Sequence, residues 1–112
     1  MKHVILVSHG TFAPGLHNAL NMLAGAKKEE LKSTSLQDGM GIDIFENNFT
    51  DLIKDITEKD KIVLLADIIG GSPMTAALNI LTEKGFIKNT AAFGGMNLSM
   101  GLTAVLEDEH DM

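Results

Sequence analysis

Two spacings of apolar residues alternate along this chain. Short apolar runs closed by turn residues predict buried strands at "HVILVS" (3–8), "KIVLLADII" (61–69) and "NTAAFGG" (89–95), with a weaker one at "ELKSTSL" (30–36). Between them the spacing becomes helical. Leu16, Ala19, Leu20 and Leu23 share one face, with Pro14 suited to a first turn and Gly25 to a helix end. Ile42, Phe45, Phe49, Leu52, Ile53 and Ile56 make a second such face, backed by the polar Asp43, Glu46, Asp51, Lys54 and Asp55. A third helix is predicted with Ser72 as N-cap and Pro73 at its first position; it buries Met74, Ala77, Leu78 and Leu81 and stops at Gly85. A fourth starts near Asn97 and runs through "LSMGLTAVLE".

Strands alternating with helices predict an α/β fold: a mainly parallel, doubly wound open sheet covered on both faces, with right-handed crossovers. The 112 residues suffice for one domain, read as 1–112, without internal repeat or low-complexity linker. "STSLQDGMG" (33–41) is the longest polar stretch and is expected to be a movable loop; the acidic end "EDEHDM" is expected to fray.

Composition narrows the function. Cysteine is absent, so the fold stands on packing, without a disulfide framework or a thiolate metal site. No run is long enough for a signal-peptide core or a membrane span, and the reading is a soluble cytoplasmic protein. All nine basic residues are lysine and the net charge is −6, which argues against nucleic acid and for a protein partner with a basic face.

Ligands of open α/β sheets bind beyond the carboxyl ends of the strands, where successive crossovers go to opposite faces. Strand one delivers Ser8 and His9 there, and strand three delivers Asp67. If these strands are neighbours, Asp67 can accept from one imidazole nitrogen, fix the tautomer, and leave the other lone pair outward as a nucleophile. The following turn, "IIGGSP", combines two glycines that expose backbone N–H groups, the Ser72 hydroxyl and the positive end of a helix, an arrangement suited to a small anion. Gly10, Gly70, Gly71 and Ser72 are the candidate phosphate-binding residues, and His9 with Asp67 the candidate catalytic pair. A phosphoryl group carried on His9 fits this set, with no metal and no cofactor.

Blander roles stand beside these. Asp67 alone could cap a turn, and Ser72 caps the third helix whatever else it does. His17 lies outside the apolar stripe of helix one and is expected to be exposed; His3 and His110 have no evident companion. His9, His17 and Asp67 lack ligand spacing within any one element, so they are not read as a metal trio. The seven methionines are read as core filling and an adaptable contact rim.

Three segments, "ILVSHGTFAPGL" (5–16), "LLADIIGGSPMTAAL" (64–78) and "AAFGGMNLSMGL" (91–102), together resemble the IIA domain of the mannose-class sugar phosphotransferase systems. The resemblance implies four parallel strands in order 2-1-3-4 and an antiparallel strand exchanged within a homodimer. It also implies that His9 takes phosphate from the phosphocarrier HPr, on Nε2, and passes it to an EIIB protein or domain; the membrane EIIC and EIID components are engaged only indirectly. Asp67 would orient His9, while Gly70, Gly71 and Ser72 would hold the phosphoryl oxygens. Members usually continue beyond this chain's end to include the exchanged strand, so a C-terminal truncation and a bare sheet edge are expected. Ile68 and Ile69 replace residues that many members have as polar or tryptophan. Rival readings are the IIA-like subunit of a dihydroxyacetone kinase, a histidine phosphatase with Ser8 where that family has arginine, and an anion-binding regulatory module.

Overall fold

The computed structural model describes residues 1–25 and 30–107. The chain runs β1 (Lys2–His9), α1 (Phe12–Ala24), β2 (Leu31–Leu36), α2 (Ile42–Leu52), β3 (Lys61–Ala66), α3 (Ser72–Glu83), β4 (Thr90–Phe93) and α4 (Leu98–Leu106), with a short 3-10 turn at Ile87–Asn89 before β4. The four strands are parallel in the order β2-β1-β3-β4, as expected.

Alternation along the central strands builds two cores. In β1, Ile5 and Val7 face α2 and α3, while Val4 and Leu6 face α1 and α4. β3 is in register, pairing Ile5 with Leu64 and Leu6 with Leu65, so it feeds the same two layers. Burial on both faces explains why β1 and β3 read as unbroken apolar runs. Phe45 and Phe49, one helical turn apart on α2, stack at 6.3 Å and are fully buried; each such side chain contributes about 1.5–3 kcal/mol. On the opposite layer Leu16 and Leu20 of α1 pack with Val105 of α4. Lys2 donates through Nζ to the carbonyls of Ala104 and Glu107, placing a cation on the last turn of α4.

α1 lies on one face and α2 on the other, so the crossovers leaving β1 and β2 diverge. The crevice this opens lies at the carboxyl ends of β1 and β3.

Several boundaries differ from the sequence reading. β3 stops at Ala66 and not at Ile69, because the loop after β4 folds back onto it: Met96 N–H donates to the Ala66 carbonyl and Gly95 N–H to that of Asp67. Ile68 and Ile69 are thereby exposed. Helix α2 ends at Leu52; Ile53 and Ile56 are buried from the turn that follows, where Asp60 accepts from Thr57 N–H. Leu23 and Ile42, placed on apolar faces by spacing, are exposed. Residues 33–36 of the polar stretch belong to β2, which leaves 37–41 as the connection. Ser72 is not the N-cap of α3: Gly71, extended at φ −72° and ψ 161°, takes that position, Ser72 is the first helical residue, and no side chain caps the helix. Asn97 does cap α4, accepting from Met100 N–H at 2.9 Å.

β4 is a sheet edge, and beside it Val63, Leu65, Ala91, Phe93 and Met100 line an apolar groove of about 470 Å3. Of the acidic end "EDEHDM", all but Glu107 lies outside the described residues, His110 included.

Candidate functional site

The last residue of β1 and the first beyond β3 meet across the crevice. His9 projects onto the α2/α3 side of the sheet, and its Nδ1 lies 2.8 Å from Asp67 Oδ2. The same oxygen accepts from the His9 backbone N–H at 3.0 Å, and Oδ1 accepts from Ile68 N–H at 2.9 Å. The carboxylate thus grips both the backbone and the ring of His9. Burial pushes the Asp67 carboxyl up, but the hydrogen bonds from the His9 backbone, the His9 ring and Ile68 outweigh it, and the group sits below the ordinary carboxylate range. An ionised Asp67 places the proton on Nδ1 and leaves the Nε2 lone pair free. The ring is 45% exposed and the carboxylate 14%, so the carboxylate is sheltered and the ring is accessible.

Glycines make room for this pair. A Cβ on Gly71 would lie 3.0 Å from His9 Cε1 and 3.0 Å from Ile68 Cγ1, so glycine lets the turn lie against the imidazole without displacing it, whereas any side chain would press on the ring. Gly70 has a φ of +81° and Gly10 a φ of +59°, left-handed values that other residues adopt at a cost. The Gly10 N–H donates to the Leu36 carbonyl at 2.8 Å, so this residue contributes a turn and not a free amide. Ser72 is exposed at the start of α3, beside a first turn that no side chain caps. An uncapped N-terminus next to an accessible imidazole leaves backbone N–H groups for an anion.

The other histidines lie elsewhere. His17 is half-buried, not exposed: its Nδ1 is 2.6 Å from Ser33 Oγ across the α1–β2 interface, and burial pushes its pKa down. It is not brought to His9 and Asp67. His3 does have a companion, at the opposite end of β1, where Nε2 lies 3.4 Å from Asp60 Oδ2. Among the described residues no three His, Cys, Asp or Glu side chains are grouped to hold a metal ion, and no helix is long and apolar enough to cross a membrane.

The turn after β4 is a support that sequence reasoning missed. A Cβ on Gly94 would run into the Ile69 side chain, and the Gly95 and Met96 bonds described above tie that turn to the end of β3. Its visible signal was the glycine pair closing the fourth apolar run, at the same end of the sheet as His9.

Comparisons with known proteins agree with this fold. The 1–112 chain matches the family model EIIA-man, described as the PTS system fructose IIA component, over residues 3–112. It is 30% identical over 110 residues to the PTS system fructose-specific EIIA component of Bacillus subtilis (strain 168), covering 98% of this chain and 73% of that protein. Among solved structures, the phosphotransferase system component EIIA from Streptococcus agalactiae superimposes with a TM-score of 0.81 at 27% identity, covering all of this chain and 81% of that one. The mannose/sorbose specific IIA subunit from Enterococcus faecalis gives a TM-score of 0.79 at 23% identity, covering 95% and 77%, a likeness of fold. With the family model spanning nearly its whole length, the chain belongs to the EIIA-man family and is a phosphotransferase-system EIIA component of the mannose/fructose type.

Proposed function

We propose that this EIIA component carries a phosphoryl group on Nε2 of His9, accepted from the phosphocarrier HPr and handed to an EIIB component in the uptake of a sugar. The observation that carries the reading is the Nδ1–Asp67 contact of 2.8 Å on a half-exposed ring, which leaves Nε2 facing the glycine-lined crevice.

In the forward step the Nε2 lone pair attacks phosphorus in line with the donor nitrogen. The new N–P bond forms as the donor's N–P bond breaks, and the bonding pair returns to the donor imidazole. The proton on Nδ1 stays where it is. The ring becomes positive, and Asp67 offsets that charge at hydrogen-bond distance. The Gly70–Gly71 turn, the Ser72 hydroxyl and the N-terminal end of α3 would hold the phosphoryl oxygens, with Gly10 shaping the opposite wall. No metal or cofactor enters the step. Transfer to EIIB is the same displacement run with His9 as donor, and both exchanges take place in the cytoplasm.

The test is incubation with phosphoenolpyruvate, enzyme I and HPr, followed by mass spectrometry at neutral pH, where phosphohistidine survives. One phosphate on His9, lost on acidification and absent from His9→Ala, is expected. A folded wild type that stays unmodified would overturn the reading.

A further inference from the structure

Ser8 points away from the site and yet is bonded to it. Side chains alternate along β1, so Ser8 faces the α1/α4 layer while His9 faces α2 and α3. Ser8 is fully buried. Its Oγ accepts from the Ala13 backbone N–H at 2.7 Å and donates to the His9 carbonyl at 3.0 Å. Thr11 occupies the N-cap position of α1 but its side chain makes no capping bond. The first turn of α1 is therefore capped from the preceding strand, and one hydroxyl closes the His9–Phe12 turn into a ring.

This bond completes a set around His9. Its backbone N–H goes to Asp67 Oδ2, its carbonyl is taken by Ser8 Oγ–H, and the next N–H, of Gly10, goes to the Leu36 carbonyl of β2. Both peptide groups flanking the His9 Cα are thus held from three directions, by Asp67 just past β3, by Leu36 of β2 and by Ser8. Fixing both peptides fixes the Cα–Cβ direction, and with it the position from which Nε2 faces the crevice. Asp67 sets the rotation of the ring; the backbone sets where the ring stands.

We propose that Ser8 is a positioning residue for His9: through the bond to the His9 carbonyl and the Ala13 N–H, it holds the imidazole at the point where phosphoryl transfer takes place. This rests on the reading of His9 as phosphoryl carrier. Misplacement of a reacting atom by a fraction of an ångström costs rate far out of proportion to its cost in stability. Because Ser8 is buried, it cannot touch a protein donor, so its loss should lower the maximal rate and leave the KM for HPr unchanged.

The experiment compares the wild type, Ser8→Ala, Ser8→Thr and, as a control for lost packing, Val105→Ala in the α1/α4 layer that Ser8 also faces. Two quantities are read: the steady-state rate of phosphate transfer from phospho-HPr, and the NMR resonance of the His9 Nδ1–H bonded to Asp67. Ser8→Ala is expected to lower the maximal rate about tenfold or more at constant KM and to shift or broaden that resonance. Ser8→Thr, which keeps the hydroxyl, restores both at least in part, and Val105→Ala changes neither. An unchanged rate and resonance in Ser8→Ala, or a loss equalled by Val105→Ala at matched melting temperature, overturns the proposal. Should Ser8→Ala not fold, Ser8→Cys, similar in shape but a weaker acceptor, is read by the same two criteria. A wild type that takes no phosphate would defeat the carrier reading instead, and the resonance alone would then decide the role of Ser8.

Discussion

β1 carries a histidine near each end, on the same face of the sheet, and each meets an aspartate flanking β3. Asp60 immediately precedes β3 and Asp67 immediately follows it, because β1 and β3 run parallel and in register from Lys2 opposite Lys61. A His–Asp pair is therefore present twice, and only one of the two looks like a site. His9 has hydrogen-bond geometry at 2.8 Å, an exposed ring edge and a glycine against Cε1. His3 is buried, its contact is 3.4 Å, and neither ring nitrogen has a hydrogen-bond partner among the described residues. Asp60 is shared with the N-terminal ammonium at 3.2 Å and with Thr57, so it holds a chain end and a turn together. The pairing itself follows from strand register; accessibility, glycine turns and helix N-termini separate chemistry from architecture.

Charge divides the same two ends. The described lysines, Lys2, Lys32, Lys54, Lys59, Lys61, Lys84 and Lys88, all sit in or before the amino-terminal halves of strands. Among the described residues none lies at the carboxyl ends, around His9. An anion held beside His9 would be met by backbone N–H groups and the dipole of α3.

The largest expected effect sets the two aspartates against each other. Asp67→Asn keeps the shape and removes the charge, and should slow phosphate transfer from HPr by roughly three to four orders of magnitude, as loss of an orienting carboxylate does for other reactive histidines. Asp60→Asn should leave the rate intact and show only in the unfolding midpoint. Equal rates for Asp67→Asn and wild type would reduce Asp67 to a turn residue.

Next in size is the glycine that only one of the histidines has. In Gly71→Ala the new Cβ would press on His9 Cε1 at 3.0 Å and on Ile68, so the ring must give by a few tenths of an ångström. A fall in transfer rate of about tenfold is expected, with stability within about 1 kcal/mol of wild type, since Gly71 does not need a positive φ. A rate equal to wild type would show that the ring has slack.

Much of this arrangement is legible in the sequence. β1 and β3 are buried on both faces, so they read as apolar runs, and the polar residue ending each run locates His9 and Asp67. Fine structure was hidden where a residue type serves two positions equally well. Ser-Pro opens a helix either as N-cap and first residue or as first and second; Gly71 in extended conformation decided for the second. Ile53 and Ile56 continue helical spacing because burial below α2 requires it, although the helix has already ended. Ile68 and Ile69 extend an apolar run yet lie exposed, since the Gly95 and Met96 amides fold back on the end of β3. The His3–Asp60 and His17–Ser33 contacts depend on register between distant segments, which no local pattern announces.

The smallest expected effect is a pH dependence that belongs to the architectural end. Burial, with Lys32 adding to it, holds the His3 pKa below its ordinary value of 6.5 despite Asp60 beside it. The unfolded chain then binds this proton more readily than the folded one. The stability contributed by neutral His3 is complete above about pH 6.5 and drains as pH falls through that value toward the lower native pKa. Each histidine of this kind can add at most about 1.4 kcal/mol per pH unit to the slope. His17, also lowered by burial, acts with the same sign. Asp60 and Asp67, held below the carboxylate value of 3.8, draw on stability only in more acidic solution, as pH falls from about 4 through their native values. Urea unfolding between pH 7.5 and 5.5 should thus show stability declining with acid, and His3→Gln should flatten that slope without removing the share of His17. A wild-type slope in His3→Gln would mean that His3 is solvated in the folded state, and the contrast between the two ends of β1 would lose its electrostatic half.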